Sequence, residues 1–154
     1  MTMSIDVPYL TIVIEGGTYA IDIANVREIL DVRAITRLPN APMNLLGMID
    51  LRGVSVPVAC MRSMMGYGMT YDDLHTRFVV VEVIGKLIGL RCDKVREVIR
   101  IDAGTFAPVD LAQLMHWSEK AVLGTARHNG QPVTLIDIAA LFGAMPDLAM
   151  MAAE

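Results

Sequence analysis

The chain has 154 residues, the length of one ordinary domain, enough to bury roughly 68–70 % of the surface its unfolded form exposes. With 54 % hydrophobic and 19 % charged residues it is not a disordered chain, and its apolar runs are too short and interrupted for direct membrane insertion. Thirteen Lys and Arg against seventeen Asp and Glu leave a formal charge of −4, no positive field for phosphate backbones, so no nucleic-acid partner is expected.

In chain order, Val7 to Glu15 alternates with Leu10, Ile12 and Ile14 on one face, Gly16-Gly17 supplies a hairpin turn, and Thr18 to Ile23 alternates again. Ala24 to Glu28 predicts a short helical turn. Arg52-Gly53 predicts another hairpin turn, and Met61 to Met65 a helical turn ending at Gly66. Arg77 to Ile84 is a Val-rich strand, Gly85-Lys86 its turn, Leu87 to Cys92 the returning strand and Asp93 to Glu97 a further helical turn. Asn129-Gly130 is the strongest hairpin signal, because type I′ turns need positive φ at both central residues. Ile138 to Phe142 is a last helical turn before Gly143.

The chain repeats itself. Tyr19–Leu30 aligns with Ile88–Ile99 and shares Val-Arg-Glu; Leu46-Gly47, Gly53 and Gly66 align with Leu123-Gly124, Gly130 and Gly143. The second copy carries roughly eight extra residues between Asp102 and Val122. Two supersecondary units, residues 9–66 and 77–143, are expected within a single domain over 1–154. Many short strands with Gly-rich turns and no long helix make the fold class all-β, two pseudo-symmetric small barrels that share strands or a core.

Catalytic patterns are scarce. His75, His116 and His128 lie far apart without metal-ligand spacing, and Cys60 and Cys92 form no CxxC. Gly66-Tyr67-Gly68 and Gly85-Lys86 do not continue into phosphate loops, and no G-x-S-x-G elbow occurs. No cofactor is implied. The start, MTMSIDVPYL, has neither a basic nor an apolar leader region, which fits a reducing cytoplasm with both thiols free and buried. A thiol enzyme using Cys60 or Cys92 with a distant histidine stays open as a remote alternative. Twelve Met beside eight aromatic residues make either soft core filler or an adaptable partner surface.

Glu28 and Arg52 lie among apolar neighbours and are either solvated charges or an ion pair; a buried pair would lose about 3–5 kcal/mol on removal of one partner. Val26, Ile29, Val95 and Val98 hold equivalent places in the two units, either facing one another across a groove or packing in the core.

The residues Tyr19-Ala-Ile-Asp-Ile23, Val26-Arg-Glu-Ile29, Ile35-Thr-Arg-Leu-Pro39-Asn-Ala-Pro42, Gly47-Met-Ile-Asp-Leu-Arg52-Gly53 and Val56-Pro57-Val58 together resemble the CheW-type chemotaxis coupling proteins. The resemblance runs from about Tyr9 to Gly143, with Thr76, Gly89, Asp93 and Leu123-Gly124 as later landmarks. It implies two five-stranded SH3-like barrels and a non-catalytic adaptor between methyl-accepting chemoreceptor cytoplasmic tips and the regulatory domain of a CheA-type histidine kinase. Such a protein is cytoplasmic and recruited to membrane-associated receptor arrays. The resemblance further implies a receptor groove of Val26, Ile29, Val95 and Val98, and functional roles for Glu28 and Arg52. A kinase face would run around Asp31, Ile35, Leu38, Val54 and Val56. One departure stands out: Ala59-Cys60-Met61-Arg62 replaces the family's Val-Asp-Leu-Arg, removing the acid at the N-cap of the Met61 turn, whereas Asp137 keeps it in the second unit. A divergent scaffold of another chemosensory pathway, such as surface motility, is the alternative.

Overall fold

The computed structural model describes residues 7–108 and 121–143; most of the extra segment of the second unit, His116 and the tail Ala144 to Glu154 lie outside them. Among the described residues eleven strands form two sheets. They are β1 (Pro8–Ile14), β2 (Gly17–Asp22), β3 (Val26–Asp31), β4 (Leu45–Leu51), β5 (Val54–Cys60), β6 (Arg77–Val83), β7 (Lys86–Cys92), β8 (Lys94–Arg100), β9 (Ala107–Pro108), β10 (Val122–His128) and β11 (Gln131–Ile136). Two short helices follow β5 and β11, α1 (Met61–Met64) and α2 (Ile138–Gly143).

The order is β8-β1-β2-β11-β10-β9 in one sheet and β3-β6-β7-β5-β4 in the other. The leading hairpin of each unit therefore inserts into the sheet of the other unit. The exchange is pseudo-symmetric down to the register. Parallel pairing of Val58 with Gly89 in one sheet is matched by Leu135 with Ala20 in the other, and Val26 opposite Val81 by Val95 opposite Ile12. The ladders leave both sheets open, and the first has six strands rather than five because β9 adds to β10.

Three apolar clusters follow from this arrangement. Tyr9, Ile99, Val133 and Leu135 form a core on the first sheet, and Leu30, Ile49, Val56, Phe78 and Val80 one on the second. The largest joins the sheets, with Leu10, Ile12 and Ile14 from β1 against Val79, Val81 and Val83 from β6, closed by Met61, Ile138, Leu141 and Phe142. Strand β6 is buried on both faces, which is why its sequence is a continuous Val run rather than an alternation.

Two expectations are corrected. The hairpin turns are centred one residue earlier than read, on Glu15-Gly16 and Ile84-Gly85, with φ of 48° and 79°, and 50° and 74°. Ile14 pairs with Gly17 and Val83 with Lys86 as the closing pairs, so all four hairpins, including Arg52-Gly53 and Asn129-Gly130, have both turn residues at positive φ. Ala24 to Glu28 and Asp93 to Glu97 are not helical turns: the first is preceded and overlapped by a 3₁₀ turn at Ile23–Asn25, capped by Asp22 Oδ1 accepting from Ala24 N at 2.9 Å, and Val26 and Lys94 already begin strands. Ladder pairing with β6 and β1 wins over a helix too short to hold itself together.

Candidate functional site

Strands β3 and β8 are the equivalent edge strands of the two sheets, and each carries Val-Arg-Glu. Each also carries a β-bulge there. Val26 lies opposite Val81 and Ile29 opposite Val79, although Glu28 intervenes opposite Val80, because Arg27 is an extra residue in the ladder. On β8, Val95 lies opposite Ile12 and Val98 opposite Leu10, with Arg96 and Glu97 facing the single residue Thr11. Without a bulge, residues three apart point to opposite faces of a strand. The bulges return Val26 with Ile29, and Val95 with Val98, to the face that carries the core between the sheets. Val26 and Val95 pack against that core, whereas Ile29 and Val98 remain 45 % and 54 % exposed. In the second bulge, Thr11 Oγ1 donates to Glu97 O at 2.6 Å and accepts from Glu97 N at 3.0 Å, satisfying backbone groups that the ladder leaves unpaired.

Glu28 and Arg52 meet. Arg52 Nη1 donates to Glu28 Oε1 at 3.0 Å and Nη2 to Oε2 at 2.7 Å, a bidentate pair between β3 and the β4–β5 turn. The hydrogen bonds from Arg52 hold the Glu28 carboxyl below the usual range. The arginine side chain is 71 % exposed and the glutamate 31 %, so the pair is solvated and not the buried bridge whose rupture would be severe. Arg27 of the same triplet pairs with Glu82 at 2.9 Å.

The residues of the expected kinase face divide. Asp31 is exposed and near Arg77 at 3.4 Å, and Val54 is exposed at the start of β5. Ile35 packs half-buried against the second sheet's own core, and Leu38 half-buried against the core between the sheets. Val56 is fully buried and has no surface to offer, since β5 turns inward two residues after Val54.

Two charged clusters are not evident from sequence patterns. Arg62 joins Glu15, Asp93 at 2.8 Å and the carbonyl of Gly68 at 2.8 Å, tying the β1–β2 turn to α1 and the β7–β8 junction. Arg91, buried in β7, bonds Asp72 at 2.7 Å and the Thr70 carbonyl at 3.1 Å. Both link loops to the sheets and are structural. Cys60 and Cys92 are buried free thiols, and burial pushes Cys92 far up, away from the thiolate form a nucleophile needs. Among the described residues no cluster of His, Cys, Asp and Glu is arranged to hold a metal ion, and no helix is long and apolar enough to cross a membrane.

A family model described as "CheW-like domain" matches residues 8–145. The chain belongs to the CheW-like family. It is 28 % identical over 130 residues to the chemotaxis protein CheW of Helicobacter pylori, covering 84 % of this chain and 78 % of that one. It is 31 % identical over 101 residues to the CheW of Klebsiella aerogenes, covering 65 % and 60 %. The crystal structure of the scaffolding protein TtCheW from Thermoanaerobacter tengcongensis superposes with a TM-score of 0.78 at 28 % identity, covering 89 % of this chain and 92 % of that one. This CheW-like chain is a non-catalytic chemotaxis adaptor with an all-β, SH3-like architecture.

Proposed function

We propose that this adaptor joins the cytoplasmic tip of a methyl-accepting chemoreceptor to the regulatory domain of a CheA-type histidine kinase, within arrays at the membrane. The observation that carries the receptor half is the pair of bulges, which turns Val26 with Ile29 and Val95 with Val98 toward the region between the sheets. Ile29 and Val98 offer exposed apolar area there, the kind of contact an amphipathic receptor helix makes with a groove. For the kinase, the exposed positions are Asp31 and Val54 on the second sheet. The mechanism is bivalency: one rigid body holds both partners, raises their effective concentration and lets a receptor state bias the kinase equilibrium with no chemistry of its own.

The test is a pull-down of the purified full chain with the kinase regulatory domain and, separately, with a receptor cytoplasmic fragment. Binding to both supports the bridge. Binding to neither by a folded protein rejects this pair of partners and directs attention to another chemosensory pathway.

A further inference from the structure

The two Val-Arg-Glu triplets are alike in sequence and backbone but not in their partners. In the first unit both charges are satisfied internally, Arg27 by Glu82 and Glu28 by Arg52. The register places Val13 at the position equivalent to Glu82, and the repeat places Asn129 at that of Arg52. Arg96 and Glu97 consequently have no side-chain partner among the described residues, and both are exposed. Where the guanidinium of Arg52 pairs with the acid of the first bulge, the second bulge instead borders a cavity of about 90 Å³, lined by Glu97, Arg96, Thr11, His128, Asn129 and Gln131 together with the apolar Ile99 and Val133, against which the stem of a long side chain can pack.

We infer that this cavity, between the β8 bulge and the β10–β11 turn, receives an arginine side chain from a protein partner, paired with Glu97 as Arg52 pairs with Glu28. The inference rests on the adaptor reading only in calling the guest a partner's side chain. The first unit supplies the template: the same backbone, the same acid, and a guanidinium held by two bonds of 2.7 and 3.0 Å. Arg96 leaves the site without net negative charge, so attraction at a distance is weak and selection depends on the planar, bidentate geometry that arginine has and lysine lacks. Thr11 strengthens the case for a built site, because its hydroxyl fixes the Glu97 backbone that presents the carboxylate.

The test uses the ¹⁵N-labelled full chain titrated with N-acetyl-arginine methylamide and, in parallel, with the lysine analogue. The amide signals of Glu97, Asn129 and Gly130 should shift saturably with the arginine probe and roughly tenfold more weakly with the lysine one. Glu97→Gln should weaken arginine binding by about tenfold, the difference between a charge-assisted and a neutral acceptor. Asn129→Arg should abolish the titration by supplying a tethered guanidinium. Its backbone already has the φ of 52° that Arg52 adopts, so the turn accepts the change. No saturable shift in the wild type, equal response to both probes, or unchanged binding in Glu97→Gln would overturn the inference. Because the probe is a small molecule, these outcomes are read independently of whether kinase or receptor fragments bind.

Discussion

Glu28 and Arg52 join the two ends of one sheet. In the order β3-β6-β7-β5-β4 they belong to β3 and to the turn that leaves β4, strands separated by the whole width of the sheet, yet their side chains meet through two hydrogen bonds. Backbone pairing does not close this sheet, so the ion pair is a latch across its open seam, with the isolated bridge between Thr36 and Met48 as a second link to β4. An exposed pair at such a seam orders local geometry more than it adds to global stability.

The latch has a predicted pH signature. Folding lowers the Glu28 carboxyl through the hydrogen bonds from Arg52, and the Glu82 carboxyl through those from Arg27. A carboxyl that is lowered in the folded state contributes stability at pH above its unfolded value, about 4.3, and loses it as pH falls through the folded value. Urea unfolding across pH 3 to 6 should therefore show a smaller acid-side loss for Glu28→Gln than for the wild type. A double-mutant cycle with Arg52→Gln should show coupling that shrinks as salt rises. Strict additivity at low salt would mean that the latch contributes nothing.

The Ile84-Gly85 turn carries a strained residue. Ile84 has φ of 50° and is 90 % exposed, so a β-branched side chain occupies the left-handed region with no packing in return. Ile84→Asn, which matches the Asn129-Gly130 turn of the same backbone type, should raise stability by about 1 kcal/mol, read as a higher urea midpoint at unchanged slope. An unchanged midpoint would show that the turn relaxes around isoleucine.

Gly47 and Gly124 are the repeat's pinch points. A Cβ on Gly47 would stand 2.3 Å from the Thr36 carbonyl oxygen, and one on Gly124 2.4 Å from that of Ala107, in each case against backbone. Alanine at either position should destabilise by about 1–3 kcal/mol as the neighbouring segment is pushed aside. Thermal unfolding of both variants checks this, and Gly53→Ala, with open space around its Cβ but a φ of 85°, provides a control for conformational strain alone.

The two helices after β5 and β11 differ in their caps. Asp137 accepts from Ala140 N at 3.1 Å, whereas Cys60, at the equivalent position before α1, makes no capping hydrogen bond. Asp137→Ala should cost about 1 kcal/mol and loosen Ile138, Leu141 and Phe142 against the shared core. Cys60→Ala should leave the α1 cap unaffected and show only the loss from a small buried side chain. Comparable amide-exchange increases in both helices would contradict this asymmetry.

The repeat is legible in the sequence because glycines such as Gly47 and Gly124 answer to backbone contact and cannot drift, and because the Val-Arg-Glu triplets serve the same bulge. The bulge itself is not legible. Val26 and Ile29, three apart on one apolar face, carry the spacing of a helical turn, and an extra residue in a strand produces the same spacing. Val54 and Val56 share a face of β5, so the pleat does not separate them; Val54 stands at the exposed start of the strand and Val56 within the second sheet's core, a difference of position along β5 that only the tertiary fold sets. The Arg62 cluster draws its partners from Glu15, Gly68 and Asp93, and only tertiary packing brings these together.

The apolar positions on the two edge strands give the sharpest test of the receptor site. Val98 is 54 % exposed, so Val98→Asp removes little packing and should leave the circular dichroism spectrum and urea midpoint nearly unchanged. A carboxylate there must be desolvated when an apolar helix docks, so receptor-fragment affinity should fall at least tenfold while kinase binding is retained. Ile29→Asp, its equivalent on β3, should behave in the same way. Normal receptor affinity in a folded Val98→Asp protein would place the receptor on another face. Loss in one variant but not the other would mean that the receptor uses one edge strand rather than the region between them.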